Sequence, residues 1–154
     1  MKRAIKFRGR LLSDGRWIEG DLRQMPDGPC VIYLTDRNHG EAVDPQTVGQ
    51  FTGICEAGTF NADYPDEYAG KPVYEGDIVM PEGDYSTEPR VVVFYECMFG
   101  LATAKEYDHL KNGAHPYLND YAHLPTLGDY PMQGPLKVIG NVYDNPELLE
   151  GGLR

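Results

Sequence analysis

Over the first third of the chain, apolar and polar positions alternate with a period of two. Residues 4–12 set Ile5 and Phe7 against Lys6 and Arg8, the pattern of a half-buried strand. Ser13-Asp14-Gly15 supplies a hairpin turn, and residues 17–22 return as a second strand. Residues 25–29 form another turn, 30–34 a third strand and 35–39 a polar loop. Residues 42–46 lead into 47–53, a strand that closes on Gly53. Turn signals at such short spacing describe a β-meander.

The later pattern is organised around residues 70–80, GKPVYEGDIVM. Gly70-Lys71-Pro72 is a turn, Glu75-Gly76-Asp77 a second and tighter one, and Ile78-Val79-Met80 an apolar, β-favouring run. Glycine suits positions that need positive φ, and an aspartate beside it can accept hydrogen bonds from nearby backbone. Residues 90–95 (RVVVFY) are the most apolar strand and belong at the centre of a sheet, with 98–102 as hairpin partner. A short helix is expected over 105–111, capped by Asn112-Gly113. Residues 136–143 form a last strand, after which Asn145 caps a short terminal helix with Pro146 in its first turn.

Charge and cysteine usage narrow the picture. The net charge is −10, whereas nucleic-acid binders usually carry a basic footprint. Lys2, Arg3, Lys6, Arg8 and Arg10 concentrate positive charge at the N-terminus; alternation places them on the solvent face of the first strand. Cys30, Cys55 and Cys97 are odd in number, far apart and each beside an apolar residue, which suits small buried hydrophobes better than a disulfide framework or a zinc ribbon. No segment has the length of a membrane span or the h-region of a leader, so a cytoplasmic protein with no membrane association is expected.

Candidate chemistry is sparse. The acidic stretch 56–69 lacks the ligand spacing of a calcium loop and fits a solvated loop. His109, His115 and His123, with Asp108, Asp120 and Asp129, lie in one irregular segment but miss the spacing of a helical zinc site. Cys97 with His109 or His123 has no local signature of an activated thiolate. Glu75 and Asp77 are the neatest carboxylate couple, yet they straddle Gly76, where a turn role suffices. No phosphate loop or dinucleotide fingerprint occurs. No catalytic residue, metal ligand or cofactor is therefore assigned.

IKFRGR, VGQFTG with PVYEGDIV, VVVFY and VIGNVYDNPELL occur in that order and span both ends and the middle of the chain. Together they resemble the YopX family of bacteriophage and prophage proteins. The resemblance implies a mainly β protein with two small SH3-like barrel- or sandwich-type β subdomains, here 1–69 and 70–154, and short helices near 105–111 and at the C-terminus. Residues 103–132 stand out as an irregular insertion. It also implies self-association, and it brings no catalytic residues. Gly53, Gly76, Asp77, Gly140, Asn141 and Pro146 match the family motifs as turn and cap residues.

The functional expectation is a non-enzymatic accessory protein in the bacterial host cytoplasm that binds a host or phage protein, with Tyr74, Glu75, Asp77, Phe7 and Trp17 as contact candidates. Its acidic surface and tyrosine-rich loops motivate this, because tyrosine is favoured at interfaces. One alternative is a small barrel facing nucleic acid through the basic first strand with Phe7 and Trp17. The other is a metal-dependent hydrolase built on Glu75, Asp77 and the histidines.

Overall fold

The computed structural model describes residues 4–26, 28–34, 38–56, 70–81, 88–95, 97–113 and 136–153. The acidic stretch beyond Glu56, the centre of the 81–89 loop and the 114–132 part of the insertion lie outside the described residues. Two compact units result, Met1–Gly53 and Ile54–Arg154. Among the described residues no helix is long and apolar enough to cross a membrane. The protein is mainly β, as its alternating pattern requires.

In the first unit, β1 (Phe7–Arg10), β2 (Trp17–Arg23), β3 (Cys30–Tyr33), β4 (Gly40–Val43) and β5 (Gly49–Cys55) lie in the spatial order β4-β3-β2-β1-β5. The expected turn at Ser13-Asp14-Gly15 is present, with Gly15 at φ +74 and Leu11 N–H bonded to the Arg16 carbonyl at 2.8 Å. The chain just past β1 then meets the free edge of β4. Leu11 bridges Val43, Leu12 N–H donates to Ala42 O at 3.0 Å, and Asp44 N–H donates to Arg10 O at 2.8 Å. These bonds close β1–β4 into a ring, which removes the open edge of β4.

The inside of the ring holds Leu11, Cys30, Ile32 and Val43, with Ile18, Leu22 and Val48 packed against them. Gly9 faces this interior. A Cβ there would stand 3.1 Å from Val43 Cβ and 3.2 Å from Ile32 Cδ1, so the glycine in IKFRGR sets how tightly the ring can wind. β4 is absent from the sequence expectation. Gly40, Glu41 and Ala42 have little β preference, and pairing to β3 on one side and the end of β1 on the other makes them a strand. The 3-10 turn Pro45–Thr47 follows, with the Asp44 carboxylate accepting Gln46 N–H at 3.0 Å. Thr47 Oγ1 accepts Arg10 N–H at 2.9 Å.

β5 does not stop at Gly53. That residue sits at φ +90 and the strand continues to Cys55, where its end pairs with β6 (Pro72–Tyr74) in the second unit. The second unit also holds β7 (Asp77–Pro81), β8 (Arg90–Tyr95), β9 (Met98–Ala102) and β10 (Leu136–Asn141) in the order β10-β7-β8-β9. β8 is an inner strand, as its composition predicts. Val91 and Val93 turn to one face with Ile78, Ala102, Ala104 and Leu149, while Val92 turns to the other with Val73, Val79, Leu101 and Leu136. Cover on both faces explains the unbroken apolar run.

The helix α1 (Ala104–Lys111) starts where a capping box forms. Thr103 Oγ1 accepts Glu106 N–H at 3.2 Å and the Glu106 carboxylate accepts Thr103 N–H at 2.7 Å. It ends at Asn112, followed by Gly113 at φ +71. The last strand is two residues shorter than the expected 136–143, and the terminal helix is 3-10, Pro146–Leu153. Cys30 and Cys55 are buried, as expected. Cys97 is not: it is exposed at φ +67 in the turn between β8 and β9, where no layer covers its side chain.

Gly9→Val should force an extra side chain into the ring and cost about 1–3 kcal/mol, seen as a lower urea midpoint. Leu12→Ser, at a side chain 60% exposed, should stay within about 0.5 kcal/mol.

Candidate functional site

The Glu75-Gly76 turn joins β6 to β7 and is built by its neighbours. Asp77 is only 1% exposed, and its carboxylate accepts Tyr74 N–H at 2.8 Å. Gly76 sits at φ +82, which an L side chain rarely adopts. Its N–H donates to Val92 O at 2.8 Å and its carbonyl accepts Val142 N–H at 2.9 Å, while the Tyr143 ring lies where a Cβ would come within 3.3 Å.

The C-terminal motif locks onto the same turn. Asn141 pairs with Asp77 across β10 and β7. Its side-chain oxygen accepts Tyr143 N–H at 3.0 Å and Asp144 N–H at 2.9 Å, and its amide donates to Asp144 Oδ2 at 2.8 Å. Asn145 N–H donates to Asn141 O at 2.9 Å, and the Asn145 carbonyl takes Leu148 N–H at 3.1 Å as the 3-10 helix begins at Pro146. The Asn145 side chain fills the space where Gly140 has none, 2.6 Å from the position of an added Cβ. Thus VYEGD and VIGNVYDNP form one interlocked element.

This arrangement separates the carboxylate couple. Asp77 is committed to the backbone inside, and Tyr74 is likewise 1% exposed, so neither offers a contact surface. Glu75 is half-buried and its charge acts on Tyr107 of α1. Burial of that phenol, and then the nearby Glu75 carboxylate, push the Tyr107 pKa above the usual 10.0.

A second carboxylate, which reads in the sequence as the start of the acidic loop, has a structural task. Glu56 N–H donates to Lys71 O at 2.9 Å, and its side chain accepts Lys71 N–H at 3.2 Å. The other carboxylate oxygen accepts Val138 N–H at 2.9 Å, and the Glu56 carbonyl accepts Leu136 N–H at 3.1 Å. One residue therefore fastens the entry to β6 and the outer edge of β10. No local pattern could announce this, because the partners are 15 and 82 positions away.

On the first unit, Phe7 and Trp17 do not share a surface. Phe7 pairs with Gly20 and alternates with Gly9, which faces the ring interior, whereas Trp17 pairs with Arg10. Lys6, Arg8 and Arg10 do share the outer face, but with partners. Lys6 Nζ is 3.1 Å from Glu19 Oε2 and 4.9 Å from the Phe51 ring centroid, the Arg8 guanidinium lies 4.9 Å over Trp17, and Arg10 Nε donates to Gly15 O at 3.1 Å.

Among the described residues no group of three or more His, Cys, Asp and Glu side chains could hold a metal ion. His109 sits in the last turn of α1, while His115, His123, Asp120 and Asp129 lie outside the described residues. What the sequence did not reveal is an apolar tip on the β8–β9 hairpin. Phe94 is 51% exposed and Met98 48%, and the Phe94 ring meets Phe99 edge-to-face at 5.2 Å. Phe94 follows Val92 on the same strand face, so its pattern is that of a core residue; only the extent of the covering layer exposes it.

The family model for YopX protein matches residues 6–150 of the 154. A search of curated proteins returns no match.

Asp77→Ala and Glu56→Ala should each lower stability by about 1–3 kcal/mol in urea unfolding, because each strands at least one backbone donor. Asp77→Asn keeps an acceptor oxygen and should lose less. Tyr107 should ionise above pH 10, followed by the ¹³Cζ resonance in NMR, and Glu75→Gln should bring it partly down. With a raised folded pKa, its contribution to stability is full below pH 10 and is lost as pH rises through the folded value.

Proposed function

This chain belongs to the YopX family, and we propose that it is a phage or prophage accessory protein acting as a non-enzymatic interaction module for a host or phage protein. The observation that carries the reading is the end of the β8–β9 hairpin, where Phe94 meets Phe99 edge-to-face on one sheet face and Met98 is exposed on the other. Two large apolar side chains are held about half in water on a hairpin whose inner strand residues Val91, Val92, Val93 and Leu101 are buried. Covering the rest of each contributes about 1 kcal/mol to association, and aromatic and methionine side chains are enriched in interface centres.

The carboxylates that could have served acid–base chemistry point the same way. Asp77 and Glu56 both accept backbone hydrogen bonds. A nucleic-acid surface on β1 has one observation in its favour, the basic and aromatic outer face. It is the weaker reading, since Lys6 is paired with Glu19, Arg10 is tied to a backbone carbonyl, and the chain carries a net −10.

The test is affinity purification of tagged chain from infected cells, with mass spectrometry and light scattering. One host or phage protein at fixed stoichiometry, lost when Phe94→Ser and Met98→Ser are combined, is the expected result. The double variant should keep its unfolding midpoint, since both side chains are exposed. Undiminished capture by that variant contradicts the reading. Recovery of the chain alone or only with copies of itself also contradicts it.

A further inference from the structure

We propose that Asn112 is a site of spontaneous modification, converting to aspartate and isoaspartate at a rate set by opening of the C-terminal cap of α1. The chemistry needs only the next residue and water. The Gly113 backbone nitrogen gives its proton to solvent and attacks Asn112 Cγ. The Cγ–Nδ2 bond then breaks, and the nitrogen takes up a proton and leaves as ammonia. One water adds to either carbonyl of the resulting cyclic imide, and ring opening gives aspartate or isoaspartate. In sum, one side-chain amide and one water become one carboxylate and one ammonium ion, with no change of oxidation state.

The cap creates this lability and also restrains it. Ending α1 at φ +71 favours glycine at 113, and glycine leaves the attacking nitrogen unshielded. Both residues are exposed, and among the described residues nothing lies within 4 Å of where a Cβ on Gly113 would stand. In the closed cap Gly113 N–H donates to Leu110 O at 3.0 Å, and Asp108 O accepts both the Asn112 N–H at 3.1 Å and Asn112 Nδ2 at 2.8 Å. The Gly113 and Nδ2 bonds must both break before attack, and bonds at an exposed helix end open at little cost. Conversion then acts on the helix. It removes the Nδ2 donor and sets a carboxylate beside the Asp108 carbonyl, at the negative end of the helix dipole. Asn141 offers a contrast, because its oxygen accepts Tyr143 and Asp144 N–H and its neighbour Val142 shields the nitrogen with a branched side chain.

The test is peptide mapping by mass spectrometry of the full chain held for days at mildly alkaline pH and physiological temperature, with chromatography to separate the isomers. The peptide carrying Asn112 and Gly113 should gain the mass change of NH2 to OH as two resolved species, several-fold faster than the peptide carrying Asn141. Unfolding in urea should speed the change at Asn112 several-fold, since the cap bonds are gone. Asn112→Gln, at an exposed site, should remove it. In hydrogen exchange, Asn112→Asp should speed the Gly113 amide several-fold and leave Val92 in the inner strand unchanged. Conversion at Asn112 no faster than at Asn141, the same rate in folded and unfolded chain, or an unchanged Gly113 amide in Asn112→Asp would overturn the proposal.

Discussion

The second unit depends on a carboxylate that reaches across 82 residues of sequence. β10 is an edge strand, and an edge strand carries backbone donors with no ladder to join. Glu56 meets two of them, Leu136 with its carbonyl and Val138 with its side chain, while the same residue exchanges hydrogen bonds with Lys71 at the entry to β6. A charged acceptor is stronger than a neutral one and can serve two donors at once. It thereby joins the end of β5, the start of β6 and β10 without a continuous sheet between them. Asp77 repeats the device on a smaller scale, inside the turn that aligns β6 with β7.

This use of carboxylates bears on function. Asp77 is held by the Tyr74 amide, buried and surrounded by the interlocked Gly76, Asn141 and Asn145 contacts. The VYEGD and VIGNVYDNP motifs in this chain thus specify how two distant segments dock, while the exposed Phe94 and Met98 lie at the end of the β8–β9 hairpin. The packing of Val91 and Val93 against Ala104 and Leu149 holds α1 and the terminal 3-10 helix on the four-stranded sheet, and the β8–β9 pairing positions Phe94 against Phe99.

Elements whose cause is local were legible in the sequence. The inner position of β8 follows from its apolar run, the turn at Gly76 from glycine beside aspartate, and the end of α1 from its terminal Asn-Gly. Elements whose cause is distant were not. β4 is a strand only because β3 and the end of β1 flank it, and residues 40–42 give no sign of that. Glu56 looks like any residue opening an acidic stretch. Phe7 and Trp17 read together as one aromatic surface, but pairing register sends them to opposite faces. Phe94 carries a core pattern, and its exposure is decided by where the covering layer ends. Cys97 likewise has apolar neighbours in sequence but occupies a turn.

Carboxylates fix the backbone of the second unit, and native-state hydrogen exchange reports on their hydrogen bonds one amide at a time. The amide of Val138 points away from β7, so its protection reports the Glu56 bond, as that of Tyr74 reports Asp77. Both should exchange as slowly as the amide of Val92 in the inner strand. Exchange at the rate of an open loop at Val138 and Tyr74, with Val92 still protected, would contradict it.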